Sequence, residues 1–466
     1  MQRGKSVSVR IPAAGVPQTR LPDAQPVAPR APISPSLGYA TNDTFQADAG
    51  EIGRRGRTQR AAPPPATQPA APAANTRAEP LQPETNTALQ ARLSAMPAPE
   101  RERATQFLNQ HVLNTPNADR ATRTYLDLSA MQAARPARLS MDTVETLTRG
   151  VAEPRGTGAA GQEGILGPAQ ARAAASAMVG MTGEDFSALQ GALRNAGTRD
   201  GQPVPNADAQ TERSLILKAV GARSQEMTAP GAMDRVRNFF GDTTSEMDDV
   251  TRFARDIAGT PRDTLITQST AIDVNAGSRA LQQRFDDSCA PTAAQVTHAD
   301  ADPIYARRLH REPIHSLDAN TNIGREQRRV LENNGGVARP RQGGTGDSLG
   351  VSPDAMRDMF NRGVSPNSNR TYATQTIADT PQARQGALDR ADRLLRDGVD
   401  VPFAVLWNGG GGHAMVMSDA RGQGANREYL VTDPMDGRTG WVRGSDIAAG
   451  NTRIGPGTGR LAWTFE

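Results

Sequence analysis

Cysteine occurs once in the 466 residues, as Cys289, which excludes an internal disulfide framework and any paired-cysteine metal site. Long apolar runs are also missing. None approaches the ~18 residues that a membrane-spanning helix needs, and Arg3, Lys5 and Arg10 are not followed by the apolar stretch of a secretory signal. An excess of one charge is absent as well: 53 basic groups stand against 50 acidic ones, the net charge is +3, and no five like charges run together. Such a balance gives no support to a nucleic-acid partner. Lysine is nearly absent, with Lys5 and Lys218 the only two, and the arginine bias reads as the mark of a GC-rich genome. Aromatics make up 4% of the chain, and 16 of the 34 prolines precede Glu100, so part of the chain cannot build a core.

What is there changes along the chain. In residues 1–84 proline recurs every few positions (Pro12, Pro17, Pro22, Pro26, Pro29, Pro32, Pro35, Pro63 to Pro65) among Ala, Gln, Thr and Arg, which blocks both helix and sheet. This stretch reads as a disordered leader, either a solvated linker or a docking segment for a secretion chaperone or apparatus. From 85 to 259 the pattern is helical, with helices expected at Arg101 to Leu113, Pro168 to Val179, Asp208 to Arg223 and Met233 to Ile257. A further one starts after Thr182 as N-cap, aligns Phe186, Leu189 and Leu193, and stops at Gly197. These helices are Ala-rich, so their core is thin and leans on the C-terminal part. Residues 260–280 have weak periodicity and read as a linker.

Residues 281–466 place helices first and strands last, the order of an α+β domain. Helices are expected at Cys289, over Arg325 to Asn333, over Ser352 to Asn361, and from Thr380 to Gly398. Three β-branched runs follow, Val401 to Trp407, His413 to Met417 and Glu428 to Thr432, separated by Gly, Asn and Asp as in an antiparallel meander. His413 opens the second strand and Asp433 closes the third. Neighbouring antiparallel strands can bring these ends together, so that Asp433 holds one ring nitrogen and frees the other as a base.

A base in that setting needs a nucleophile. Cys289 sits at an expected helix start, behind the capping types Asp287 and Ser288, where the unpaired N–H groups and the dipole favour a thiolate. Gln283 lies six residues earlier, and its amide is placed to assist the Cys289 N–H in holding an oxyanion. No phosphate-binding glycine motif occurs. His298, Asp300 and Asp302, with His310 and His315 nearby, match no standard zinc spacing and read as a solvated helix end followed by a loop.

Gln283, Cys289 in the run SCAPT, His413 in HAMVM and Asp433 in YLVTDPMDG together resemble the papain-like cysteine peptidases, and most of all the bacteriocin-processing, C39-like branch. The resemblance covers Leu281 to Glu466. It implies a papain-like fold with Cys289 as nucleophile, His413 as base, Asp433 as orienting acid and Gln283 in the oxyanion hole. It implies a protein or peptide substrate and no cofactor or metal. The chain departs from the family at Ala290, where a glycine is usual, and in the insert RQGGTGDSLG. Peptide hydrolysis is the default; side-chain deamidation or transglutamination would use the same residues, and a catalytically inactive binding module is the rival. Leader, helical middle and thiol-hydrolase domain suggest a modular bacterial protein, retained in the cytoplasm or delivered as an effector or toxin by a dedicated secretion system.

Overall fold

The protein is described from a computed structural model that covers residues 80–466, apart from 200, 225–245, 275–278, 340, 342–349, 369, 408–410 and 455–456. Most of the leader therefore lies outside the described residues, as do the first part of the Met233 to Ile257 helix and nearly all of the Gly-rich insert.

The architecture is α+β, with a long helical portion followed by an antiparallel sheet. The helices expected from periodicity form at Ala98–His111, Pro168–Gly180, Gly183–Asn195 and Asn206–Ala222, and the described part of the next is Glu246–Ile257. Local chemistry sets their starts. Thr182 Oγ1 accepts from the Asp185 N–H, and Ser140 caps a helix not singled out from the sequence, Met141–Ala152, by accepting from Thr143 N–H. Pro83–Ser94 and Ala118–Ala134 are also additional. Segment 260–280 contains the short helix Arg262–Thr267, whose Leu265 and Ile266 are buried.

In the C-terminal part the four expected helices form at Cys289–Ala301, Asn322–Glu332, Pro353–Gly363 and Pro381–Arg396, with a further one at Pro303–Leu309. The strands are β1 (Thr198–Arg199) and β2 (Gln202–Pro203), a small hairpin, then β3 (Thr374–Thr376), β4 (Val401–Trp407), β5 (Gly412–Arg421), β6 (Glu428–Asp433), β7 (Arg438–Arg443), β8 (Thr452–Ile454) and β9 (Gly457–Phe465). The main sheet runs β3-β9-β4-β5-β6-β7, with β8 on β9, and every pairing is antiparallel. Its centre, β4-β5-β6, is the expected meander. Alternation sends Ala414, Val416 and Leu430 into one hydrophobic cluster and Met415, Met417 and Val431 into another, against the Pro381–Arg396 helix.

The first cluster extends from Leu89 through Ala171, Leu217 and Ala293 to Phe465, so the thin helical core is completed by the Cys289 helix and the sheet. Ion pairs cross the same boundary: Arg155 to Asp300 at 2.6 Å and Arg120 to Asp419, both partly buried, and the buried pairing of Arg223 with both carboxylate oxygens of Asp302 at 2.9 and 3.0 Å. These pairs correct one expectation. The end of the Cys289 helix is not solvated, because Asp302 is 2% exposed and His298 stacks on Tyr305 at 3.8 Å. Removing Arg223 would leave Asp302 as an uncompensated buried charge, so Arg223→Ala is expected to cost about 3–5 kcal/mol. Urea unfolding measures this, and a loss below about 1 kcal/mol would contradict the assignment of this pair as a buried, tightly held contact.

Candidate active site

Two strand ends and one helix start meet at the site. His413 is the second residue of β5 and Asp433 the last of β6. The register pairs Val416 with Thr432 and Met417 with Val431. Continued one step, it sets Asp433 across from Met415 and diagonal to His413 on the same face. The side chains meet there: the His413 Nε2–H donates to Asp433 Oδ1 at 2.5 Å, and the same oxygen accepts the Met435 N–H at 2.7 Å. Asp433 is fully buried and His413 is 2% exposed.

Cys289 begins its helix, is half-buried, and lies near enough to His413 to raise the pKa of its ring. Because Nε2 is committed to Asp433, Nδ1 is the nitrogen left to exchange a proton with the thiol. Ser288 occupies the N-cap position without capping, since its Oγ bonds back to Phe285 and on to Gln327 Oε1 at 3.2 Å. Ser288 thus leaves the first-turn N–H groups uncapped.

The loop carrying Cys289 is tied to the turn carrying Asp433. Gln283 N–H donates to the Pro434 carbonyl at 2.8 Å, Ala280 N–H to that of Gly437 at 2.6 Å, and Arg341 Nη1 to that of Met435 at 2.7 Å. Gly437 has φ +67° and its Cα faces the Ala280 carbonyl, where an added Cβ would come within 2.7 Å. Only glycine suits that contact.

Electrostatics follow from this geometry. Burial alone would push the His413 pKa down, but the hydrogen bond to Asp433, with the influence of the neighbouring Cys289, outweighs it and raises the pKa to about 10. The imidazole is thus cationic at neutral pH. A histidine whose folded pKa exceeds its ordinary 6.5 stabilises the fold fully below that pH and loses the contribution as pH rises towards about 10. The wild type is expected to lose stability against His413→Gln over that interval. Urea titrations at its two ends test this, and an unchanged difference would contradict it.

Gln283 is bonded within its own loop. Its Nε2 donates to the carbonyls of Phe285 at 3.0 Å and Asp286 at 2.9 Å, which occupies both amide hydrogens, while Oε1 is buried with no partner among the described residues. An oxyanion contact requires one of those hydrogens to be released. Asp436, close by in the turn, holds Arg438 and does not bond to His413.

Comparison with family models, with curated proteins and with solved structures gave no match. The site therefore stands on its own geometry. Two participants were not found from the sequence. Trp407 stacks on the His413 ring, with centroids 5.5 Å apart and planes at 19°, and covers it. Its signal was a rare tryptophan closing the strand that pairs with β5. Gln327 accepts from Arg284 N–H at 2.9 Å and from the Ser288 hydroxyl, and so bridges to the Cys289 loop. No sequence signal marks it, because the contact joins separate elements. Among the described residues no group of three or more His, Cys, Asp or Glu is arranged to hold a metal.

Proposed function

We propose that the chain is a thiol hydrolase or acyl-transfer enzyme of papain-like type, acting on a peptide bond or side-chain amide. One observation carries the reading: a buried imidazole bonded through Nε2 to a buried carboxylate, with the only thiol beside it at a helix start. In this reading Cys289 Sγ attacks the carbonyl carbon as thiolate. The carbon–nitrogen bond breaks as His413 gives its Nδ1 proton to the leaving amine, which leaves an acyl thioester. Water or an acceptor amine then loses a proton to His413 and displaces the sulfur. Asp433 keeps the ring oriented throughout. Peptide hydrolysis is the default outcome, and deamidation or transglutamination differs only in which amide enters and which nucleophile leaves with the acyl group.

The resemblance of SCAPT, HAMVM and VTDP to C39-like peptidases supports the same assignment. A second reading, a papain-like domain kept for binding, is favoured by one observation, the engagement of the Gln283 amide within its own loop. Iodoacetamide separates the two. A thiolate paired with a cationic imidazole is expected to be alkylated at pH 6, at least about tenfold faster than in His413→Gln, whereas a structural thiol reacts slowly in both. Equal rates in the two proteins would remove the catalytic reading.

A further inference from the structure

A second site lies away from Cys289, where the helices Pro168–Gly180 and Asn206–Ala222 meet the Cys289 helix and the start of β4. A cavity of about 190 Å³ opens there, with walls that include Ala169, Ala173, Ala222 and Val399 and polar groups that include Thr297, Arg370 and Asp400. Its polar groups are unevenly satisfied. Asp300, which also lines it, is matched by Arg155 at 2.6 Å and Lys218 at 4.0 Å. Asp400 is 6% exposed, and its Oδ2 is buried with no hydrogen-bond partner among the described residues. Thr297 Oγ1, in a residue 3% exposed, and Arg370 Nη1 are likewise buried without partners among them.

A buried carboxyl oxygen and a buried hydroxyl left unmatched are costly unless something fills them. The walls around them are small and apolar. An acid and a guanidinium lining one small cavity match the two ends of an α-amino acid, with the ammonium at Asp400 and the carboxylate at Arg370. A cavity of about 190 Å³ has room for a molecule the size of alanine or serine. We infer that this cavity binds a small free amino acid as its zwitterion, held by Asp400, Arg370 and the Thr297 hydroxyl. Burial first, and then the charge of Asp300, hold the Asp400 carboxyl well above the usual carboxylate range, against the pull of Arg155, Lys218 and Arg370. An entering ammonium would supply the positive partner that the Asp400 carboxyl lacks. The site is joined to the active site through the chain, since Asp400 leads into β4, which pairs Val405 with His413.

Calorimetry on the full chain with glycine, L-alanine and L-serine tests this, with ethylamine and propionate as the two half-ligands. Saturable binding of alanine or serine is expected, at least about tenfold tighter than either half-ligand. Asp400→Asn keeps the shape of the side chain and removes its carboxylate, so it should fold while affinity falls at least about tenfold. Arg370→Gln gives an independent check at the carboxylate end, with the same loss expected. Absence of binding by all three amino acids up to about 10 mM, ethylamine binding as tightly as alanine, or undiminished affinity in both variants would each overturn the assignment. None of these measurements uses the Cys289 thiol, so their outcome is independent of the proposed catalysis.

Discussion

Cys289→Ala is expected to abolish turnover, with a loss of at least about 10³-fold, because removing the nucleophile of a coupled set costs nearly as much as removing the whole set. The chain has no other cysteine to substitute for it. Two features meet in this one residue: the position at the helix start, and the closeness to His413 that helps to raise the pKa of the ring. The substitution should leave the fold intact, since a half-buried thiol at a helix start gives way to a better helix former. Mass spectrometry of proteins incubated with wild type and variant reads both the loss and the chemistry, distinguishing cleavage from deamidation and from acyl transfer. Product formation by the variant at the wild-type rate would end the assignment.

Asp433→Ala is expected to slow turnover by about 10 to 10⁴-fold, the range seen for orienting acids in other triads, while Asp436→Ala stays close to wild type. The asymmetry comes from the turn: Asp433 Oδ1 takes both the His413 and Met435 hydrogens, whereas Asp436 serves Arg438. Without Asp433 the largest influence that raises the histidine pKa is lost, so the pKa falls and the basic limb of the pH–rate profile, expected near pH 10, would move down. As the last residue of a strand, Asp433 would be expected to tolerate exchange without loss of folding. Full burial changes that expectation, since a ring nitrogen and the Met435 N–H lose their partner together, at about 1–3 kcal/mol for each group left unsatisfied. Full activity in Asp433→Ala, with loss in Asp436→Ala, would show that the other carboxylate is the third member.

By itself the sequence determined the elements and the identity of the candidate residues. Thr182, Ser352 and Thr380 announce helix starts through short-range hydrogen bonds, and the runs Val401 to Trp407 and Glu428 to Thr432 announce strands through local patterning. One cysteine and a histidine and aspartate at adjacent strand ends were legible for the same reason. What depends on distant parts of the chain was decided only in three dimensions. The Gln283 amide is taken by carbonyls of its own loop, and that loop's path is set by pairing with residues 434–437. Asp300 and Asp302 look like a hydrated helix end in the sequence, yet Arg155 and Arg223 from the helical half reach them and make them core. Periodicity records which face a residue occupies on its own element. It carries no record of which other element arrives there, and burial, ion pairing and the pKa of a side chain are set by that arrival.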